Sequence, residues 1–427
     1  MIDFTPYLND VKLPVMNKEQ FQYVTEKHGK EKFREDLAEY ISQARPPFPF
    51  NKISKQDMIT NFLDLKSFDT SKNIKAKDKI ERPVFEKYKD YKYSFNEYGL
   101  GLIEGASTYN LVSNYFMQEL RLNCGSYGFR APAEVWQNGN AKDIWRCFGP
   151  IWRGINEKKI LDEKVYMSAF RLGTYIATQF KPVVAKAIYE LTNSQRVLDT
   201  SCGWGDRLAG FYTSSAKEYI GCDPNPNTFA RYMKQVDEYE RILGNNNPII
   251  KEDRNMFTIN ASKKVTIYRC GAEDLPWDDI NNIDCSFTSP PYFSTEEYNK
   301  GGEHEEDQSW HKFNEYDKWR DNFFLPVSDQ CIKKSKHTLI NIMDPQIKGK
   351  RYRTGDEICD KYNSKFDERF KGQIGMRIMQ RPKSDKLFKD EQEKKEFMNN
   401  IFIENIWYFS NENNDLFKSA TLDEFFA

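Results

Sequence analysis

The chain has 427 residues, with 63 Lys or Arg against 64 Asp or Glu and a formal net charge of −1. At ~100–200 residues per domain this predicts two or three domains, and 39% hydrophobic with 30% charged content excludes a disordered chain. The near-neutral balance argues against a uniformly basic DNA coat. No run of ~18 apolar residues suggests a membrane partner, and Asp3 and Asp10 interrupt any signal peptide, so a cytoplasmic protein is expected.

Residues 1–160 carry 25 basic and 21 acidic side chains and read as a mainly helical accessory domain. Asn17 and Gln20 form a capping box ahead of Phe21, Val24 and His28, and Gly29 breaks that helix. A second helix over 30–43 sets Phe33, Leu37, Tyr40 and Ile41 on one face. RPPFPF at 45–50 must be extended, Ser54 with Asp57 opens a short helix toward Leu65, and SKNIKAKDKIERP at 71–83 reads as a loop. An amphipathic helix over 107–122 places Val112, Tyr115, Phe116 and Met117 near one face.

From residue 161 helices alternate with short apolar strands. A helix over 163–180 precedes Pro182, which opens the next helix at its first turn. RVLDT (196–200), EYIGCD (218–223), VTIYR (265–269), IDCSFT (283–288), HTLINIM (337–343) and IENIWYF (403–409) read as strands, with a long helix about 313–334. The last aromatic strand is expected antiparallel, at the edge or between neighbours. The prediction is a doubly wound α/β domain over 161–427, mostly parallel and covered on both faces.

In VLDTSCGWGDRLAG (197–210) a strand ends in Asp199, with Ser201, Gly203 and Gly205 in the turn before a helix. Glycines there let a ligand approach the backbone at a helix N-terminus. Leu208 stands where a dinucleotide motif has its third glycine, and Asp199 with Asp206 makes the turn acidic. A cationic ligand such as S-adenosylmethionine (SAM) suits such a turn better than a pyrophosphate. Asp223, at the next strand end, is placed to take both hydroxyls of a ribose, and Glu273 or Asp274 to accept from an adenine amine.

TSPPYF (288–293) follows the fourth strand. Two prolines stiffen the backbone and leave the Ser289 side chain and the Pro290 carbonyl as rigid acceptors at the carboxyl edge of the sheet. An aromatic amine is a poor nucleophile because its lone pair is delocalised into the ring. Two acceptors on its N–H groups favour a pyramidal nitrogen aimed at a methyl donor. Tyr292 and Phe293 are the rings expected to stack on a base taken out of its duplex.

These motifs resemble the SAM-dependent amino-methyltransferases of nucleic acids, whose signature Asp/Asn/Ser-Pro-Pro-Tyr/Phe matches Ser289, Pro290, Pro291 and Tyr292. The form TSPPY is most familiar in enzymes acting on the cytosine amine and also occurs in adenine-specific ones. The resemblance implies a Rossmann-like methyltransferase sheet, SAM as cofactor and DNA as partner. The family's glycine motif matches Asp199 to Gly205, its ribose acid Asp223, and its methionine-contacting segment Thr178-Gln179-Phe180-Lys181-Pro182, with Phe180 inserted. It covers about residues 165–412. Here the glycine turn precedes the catalytic loop, whereas many TSPPY enzymes run the other way, so TSPPY does not single out cytosine. Ring-carbon methylation of cytosine is excluded, since it needs a Cys nucleophile after Pro and no Pro-Cys dipeptide exists.

Eight scattered cysteines without C-x-x-C read as reduced thiols, with Cys202 and Cys285 as small core residues, and four histidines without H-x-x-x-H predict no metal site. EHEED (303–307), near His311, reads as a mobile polar lid. Residues 293–330 hold 4 basic and 10 acidic side chains, while residues 345–389 hold 13 basic and 6 acidic, beginning with KGKRYR. The basic stretch, with Tyr352, Tyr362, Phe366 and Phe370, is either a phosphate-following surface or a solvated face. Arg121, Arg130, Arg146 and Arg153 are further phosphate candidates. The expected activity is methyl transfer from SAM to the exocyclic amine of a flipped adenine or cytosine in DNA. The alternatives are an RNA base or protein-amide (glutamine) methyltransferase, or a non-catalytic SAM-binding subunit.

Overall fold

The computed structural model describes the chain except residues 77–98, 127, 153–160, 299, 363–368, 379–387, 400–401, 413–415 and 417–427. The chain forms two compact units. One comprises Met1–Ser54, Tyr115–Thr178 and Thr295–Glu305; the other comprises Lys55–Asn114, Gln179–Ser294 and Glu306–Ala427. The unit that holds the sheet also takes in residues 55–114, which the sequence reading grouped with the accessory domain.

The first unit is helical. Asn17 and Gln20 form the reciprocal cap on Lys18–His28, with bonds of 2.9 and 3.0 Å, and Gly29 ends the helix at φ 84°. Phe21 and Val24 are buried beneath it, whereas His28 is exposed. Phe33, Leu37 and Ile41 from Lys30–Ala44 point into a core shared with Trp136, Phe148, Trp152 and Phe170. These rings meet mostly edge to face, as at Trp136–Phe170 (4.8 Å between centroids), so much of the high aromatic share is spent on packing. The Trp136 indole N–H donates to the Pro46 carbonyl (2.6 Å) in the extended RPPFPF segment.

The second unit is built on one sheet. Its strands are β1 (Ile74–Ala76), β2 (Gly99–Glu104), β3 (Arg196–Asp199), β4 (Glu218–Cys222), β5 (Ile250–Asp253), β6 (Met256–Asn260) and β7 (Lys264–Tyr268). They continue with β8 (Ile283–Thr288) and β9 (Ser335–Asn341); a separate hairpin of β10 (Gln346–Ile347) and β11 (Lys350–Arg351) follows. β12 (Phe370–Ile378) and β13 (Phe402–Ser410) complete the main sheet. The spatial order is β1-β2-β12-β13-β9-β8-β3-β4-β7-β6-β5. β7, β4, β3, β8 and β9 run parallel. β13 inserts between β9 and β12, antiparallel to both. This is the expected doubly wound, mostly parallel, Rossmann-like methyltransferase sheet, with its aromatic strand between neighbours.

Some elements differ from expectation. The helix expected to 180 stops at Gly173. The helix expected over 313–334 is Tyr316–Trp319, a wide turn Arg320–Phe324, then Leu325–Lys334. Pro326 has no N–H for the carbonyl four residues earlier, which interrupts the regular ladder. β1 lies in the polar stretch read as a loop, whose residues 77–83 fall outside the described ones. β12 lies inside the basic stretch 345–389.

Candidate active site

The order reverses between β3 and β8, parallel neighbours whose chains leave in opposite directions across the sheet. Ligands of open α/β sheets bind at the carboxyl ends of strands at such a switch point. Both sequence motifs emerge there, the glycine turn from β3 and the SPPY loop from β8. The Thr200 hydroxyl donates to that of Thr288 (3.0 Å), tying the two strand ends together.

Asp199 is fully buried and its carboxylate faces the protein. It accepts from Ser201 N (3.1 Å), Arg207 Nε (2.9 Å) and the Tyr219 hydroxyl (2.6 Å). Arg207 also donates to the Ser201 carbonyl and lies 5.5 Å over the Phe180 ring. Burial lowers the Arg207 pKa, but the Asp199 carboxylate outweighs it and the net shift is upward. The turn is therefore less acidic than its two aspartates suggest, because Arg207 neutralises one of them.

Gly203 and Gly205 take φ of 54° and 70°. A Cβ on Gly205 would sit 2.2 Å from Gln235 Oε1, so side-chain packing and backbone both require glycine. Gln235 Nε2 holds the turn by donating to the Gly205 carbonyl (2.8 Å). Gly210, two residues beyond the missing third glycine, lets Asp206–Thr213 pack against Pro182–Leu191: a Cβ there would lie 2.5 Å from the Ala185 Cβ.

Asp206 opens the helix after the turn and is buried. Its Oδ1 accepts from the Ser113 hydroxyl and from Gln179 Nε2 (2.9 Å). Gln179 Nε2 also reaches the Asn110 carbonyl (3.1 Å), and the Tyr239 hydroxyl donates to the Val112 carbonyl (3.0 Å). Residues 110–113, outside the region of family resemblance, therefore brace the glycine turn. Sequence reading missed Ser113 and Gln235, and it placed Gln179 in the methionine-contacting segment without its bond to Asp206, since no local pattern marks a partner 27 to 93 residues away.

In the methionine segment, Lys181 is extended and Pro182 takes the first turn of its helix as expected. Phe180 meets Phe287 of β8 edge-on at 5.5 Å. Asp223 closes β4 and receives four donors: Asn225 N (3.0 Å), the Thr228 hydroxyl (2.8 Å), Gly203 N (3.1 Å) and the Tyr232 hydroxyl (3.1 Å). Burial nonetheless pushes its carboxyl above the usual aspartate value. After β7, Glu273 Oε1 pairs with Lys312 (3.0 Å), whereas Asp274 is exposed and 3.8 Å from the same ammonium.

In the SPPY loop Ser289 and Pro291 are half-buried and Pro290 is buried. Tyr292 is 8% exposed, and its hydroxyl donates to the Asn341 carbonyl (3.4 Å). Phe293 turns at φ 49° into the core, 5.9 Å from Tyr316 and 5.8 Å from Trp319, an arrangement of packing and not of open stacking.

The distant cations are less suited to phosphate than expected. Arg121 is buried and donates to the Ala177 carbonyl (3.1 Å), and Arg130 pairs with Asp143 (2.8 Å). Arg146 is exposed; Arg153 and Phe366 lie outside the described residues. Tyr362 and Phe370, two rings of the stretch 345–389, are buried against Phe409. Cys202 and Cys285 are buried, as expected of core thiols. Among the described residues no helix is long and apolar enough to cross a membrane.

The strand order is that of a Rossmann-like methyltransferase fold. No family model and no curated protein matches the chain. Several solved structures resemble part of it. An rRNA methylase from Streptococcus thermophilus is 11% identical, covering 55% of this chain and all of its own (TM-score 0.29). The N-terminal domain of EvdMO1 with SAH bound is 9% identical, covering 55% of this chain and 82% of its own (TM-score 0.29). Trm1 from Pyrococcus horikoshii, in complex with S-adenosyl-L-methionine, is 12% identical over 54% of this chain and 56% of its own (TM-score 0.31). The fold is defined by the strand order, independently of these distant likenesses.

Proposed function

We propose that the chain is a SAM-dependent methyltransferase acting on the exocyclic amine of an adenine or cytosine flipped out of DNA. The observation that carries the reading is the emergence of Ser289-Pro290-Pro291-Tyr292 from β8 beside the glycine turn of β3, on adjacent parallel strands at the switch point. When bound, SAM supplies an electrophilic methyl group. Asp223 accepts the ribose hydroxyls, Gly203 and Gly205 admit the ligand to the backbone, and Phe180, Lys181 and Pro182 border its methionine end. Asp274, the more open of the two acids, accepts from the adenine amine, with Glu273 held by Lys312. Asp199 acts indirectly, through Arg207 and Ser201.

On the substrate side, the Ser289 hydroxyl and the Pro290 carbonyl accept the two amine hydrogens and orient the nitrogen lone pair toward the methyl group. Transfer to the held amine would be direct, an N–C bond forming as the S–C bond breaks and the amine then releasing one proton to solvent. Tyr292 offers its ring to the base. The test is tritiated SAM with duplexes of varied sequence. Label is expected in DNA, resistant to ribonuclease, and lost in Ser289→Ala with SAM binding retained. Label in RNA or protein alone, or none in any acceptor, refutes the DNA reading.

A further inference from the structure

We infer that the β10–β11 hairpin is a phosphate-docking finger for the DNA strand that carries the target base; this rests on the reading of the SPPY loop as a DNA amine site. Thr288 pairs in register with Ile340, so Ser289 and Asn341 leave neighbouring strands together. Four residues lie between Asn341 and Gln346, so the two are at most ~18 Å apart along the chain. The hairpin is closed by the bond from Tyr352 N to the Pro345 carbonyl (2.9 Å).

A relay of rings fixes it to the catalytic loop. Tyr352 lies on Tyr316 (4.1 Å, 31°), the Tyr316 and Thr354 hydroxyls are 2.7 Å apart, and Phe293 meets Tyr316 edge-on. The tip turns through Lys348 (φ 49°) and Gly349 (φ 82°), the sign pattern of a tight hairpin turn. A Cβ on Gly349 would meet nothing within 4 Å. Lys348 and Lys350 are exposed and have no carboxylate partner among the described residues; the Lys350 ammonium lies 4.6 Å over the Tyr352 ring. Arg351 donates to the neutral Gln346 amide (3.4 Å). Two unneutralised ammonium groups on a stiff two-stranded tip, anchored to the loop that takes the base, match the regular charge of a phosphodiester backbone.

The experiment measures binding of the full chain to a fluorescent DNA duplex by anisotropy across 50–200 mM salt, beside methyl transfer to the same duplex. K348Q/K350Q is compared with K251Q/R254Q, which removes equal charge from exposed positions around β5 at the far sheet edge. The hairpin variant is expected to lower the slope of log affinity against log salt by about 2, at ~0.9 per lost contact. Its KM for DNA rises while kcat and the KM for SAM hold, and the control variant matches wild type. An unchanged slope in the hairpin variant, an equal drop in the control, or no DNA binding by wild type overturns the inference. Hairpin-dependent binding without any methyl transfer to DNA overturns the functional reading alone.

Discussion

Replacing Gly205 by Ala tests whether the glycine turn is held by the side chain behind it. Two costs are separable. A left-handed φ of 70° costs an L side chain about 1 kcal/mol. The added Cβ would lie 2.2 Å from Gln235 Oε1, so Gln235 must move, giving up its bonds to the Gly205 carbonyl (2.8 Å) and the Tyr239 hydroxyl (2.9 Å). At about 1 kcal/mol for each bond, the total is about 3 kcal/mol. In a Gln235→Ala background only the backbone cost remains, so the coupling between the sites is about 2 kcal/mol. Urea unfolding of the four proteins of this cycle measures the coupling, and calorimetric titration with SAM reads its effect on the turn. Equal penalties for Gly205→Ala in both backgrounds refute the reasoning.

Three further outcomes are expected. Ser113→Ala deprives the buried Asp206 carboxylate of a hydroxyl donor, a loss of about 1.5–3 kcal/mol, and raises the KM for SAM with little change in kcat; Ser113→Thr restores part of it, and an unchanged KM refutes the bracing role. Burial raises the Asp223 pKa and ribose hydroxyls need its ionised form, so SAM affinity falls with pH at higher pH than an exposed aspartate dictates; titrations from pH 7 downward check this, and Asp223→Asn flattens the profile. The other seven cysteines are buried, whereas Cys270 is half-exposed with its pKa lowered by the Cys222 thiol, so iodoacetamide marks Cys270 first and SAM protects it; mass mapping of another site, or no protection, refutes this.

The strands from β3 onward that carry the site were legible because their apolar runs are short and end in punctuation: Asp199 and glycines after RVL, Asp223 and Pro224 after EYIGC, SPP after IDCSFT. Buried parallel strands write themselves as continuous apolar text. The sheet's outer strands were not legible. β1 and β2 lie in the polar part of the chain, and β12, FKGQIGMRI, sits in a basic stretch with glycines that dilute its pattern. The rings of that stretch were misleading as surface groups, since Tyr362 and Phe370 are interior despite their basic neighbours. At the site the local motifs were readable, but their supports were not. Arg207 turns Asp199 inward, Gln235 fixes Gly205, and Ser113 reaches Asp206 from a helix nearly a hundred residues earlier.

The placement of β13 bears on how the chain is made. β13 is the last strand in sequence among the described residues, yet it fills the slot between β9 and β12, hydrogen-bonding to both. Until residue 410 has left the ribosome, β9 and β12 each present an open edge, and the sheet exists as two incomplete halves. Synthesis at ~5–20 residues per second leaves those edges exposed for seconds after β9 emerges. A nascent chain stalled before residue 402 therefore carries two unpaired strand edges open to pairing with another chain.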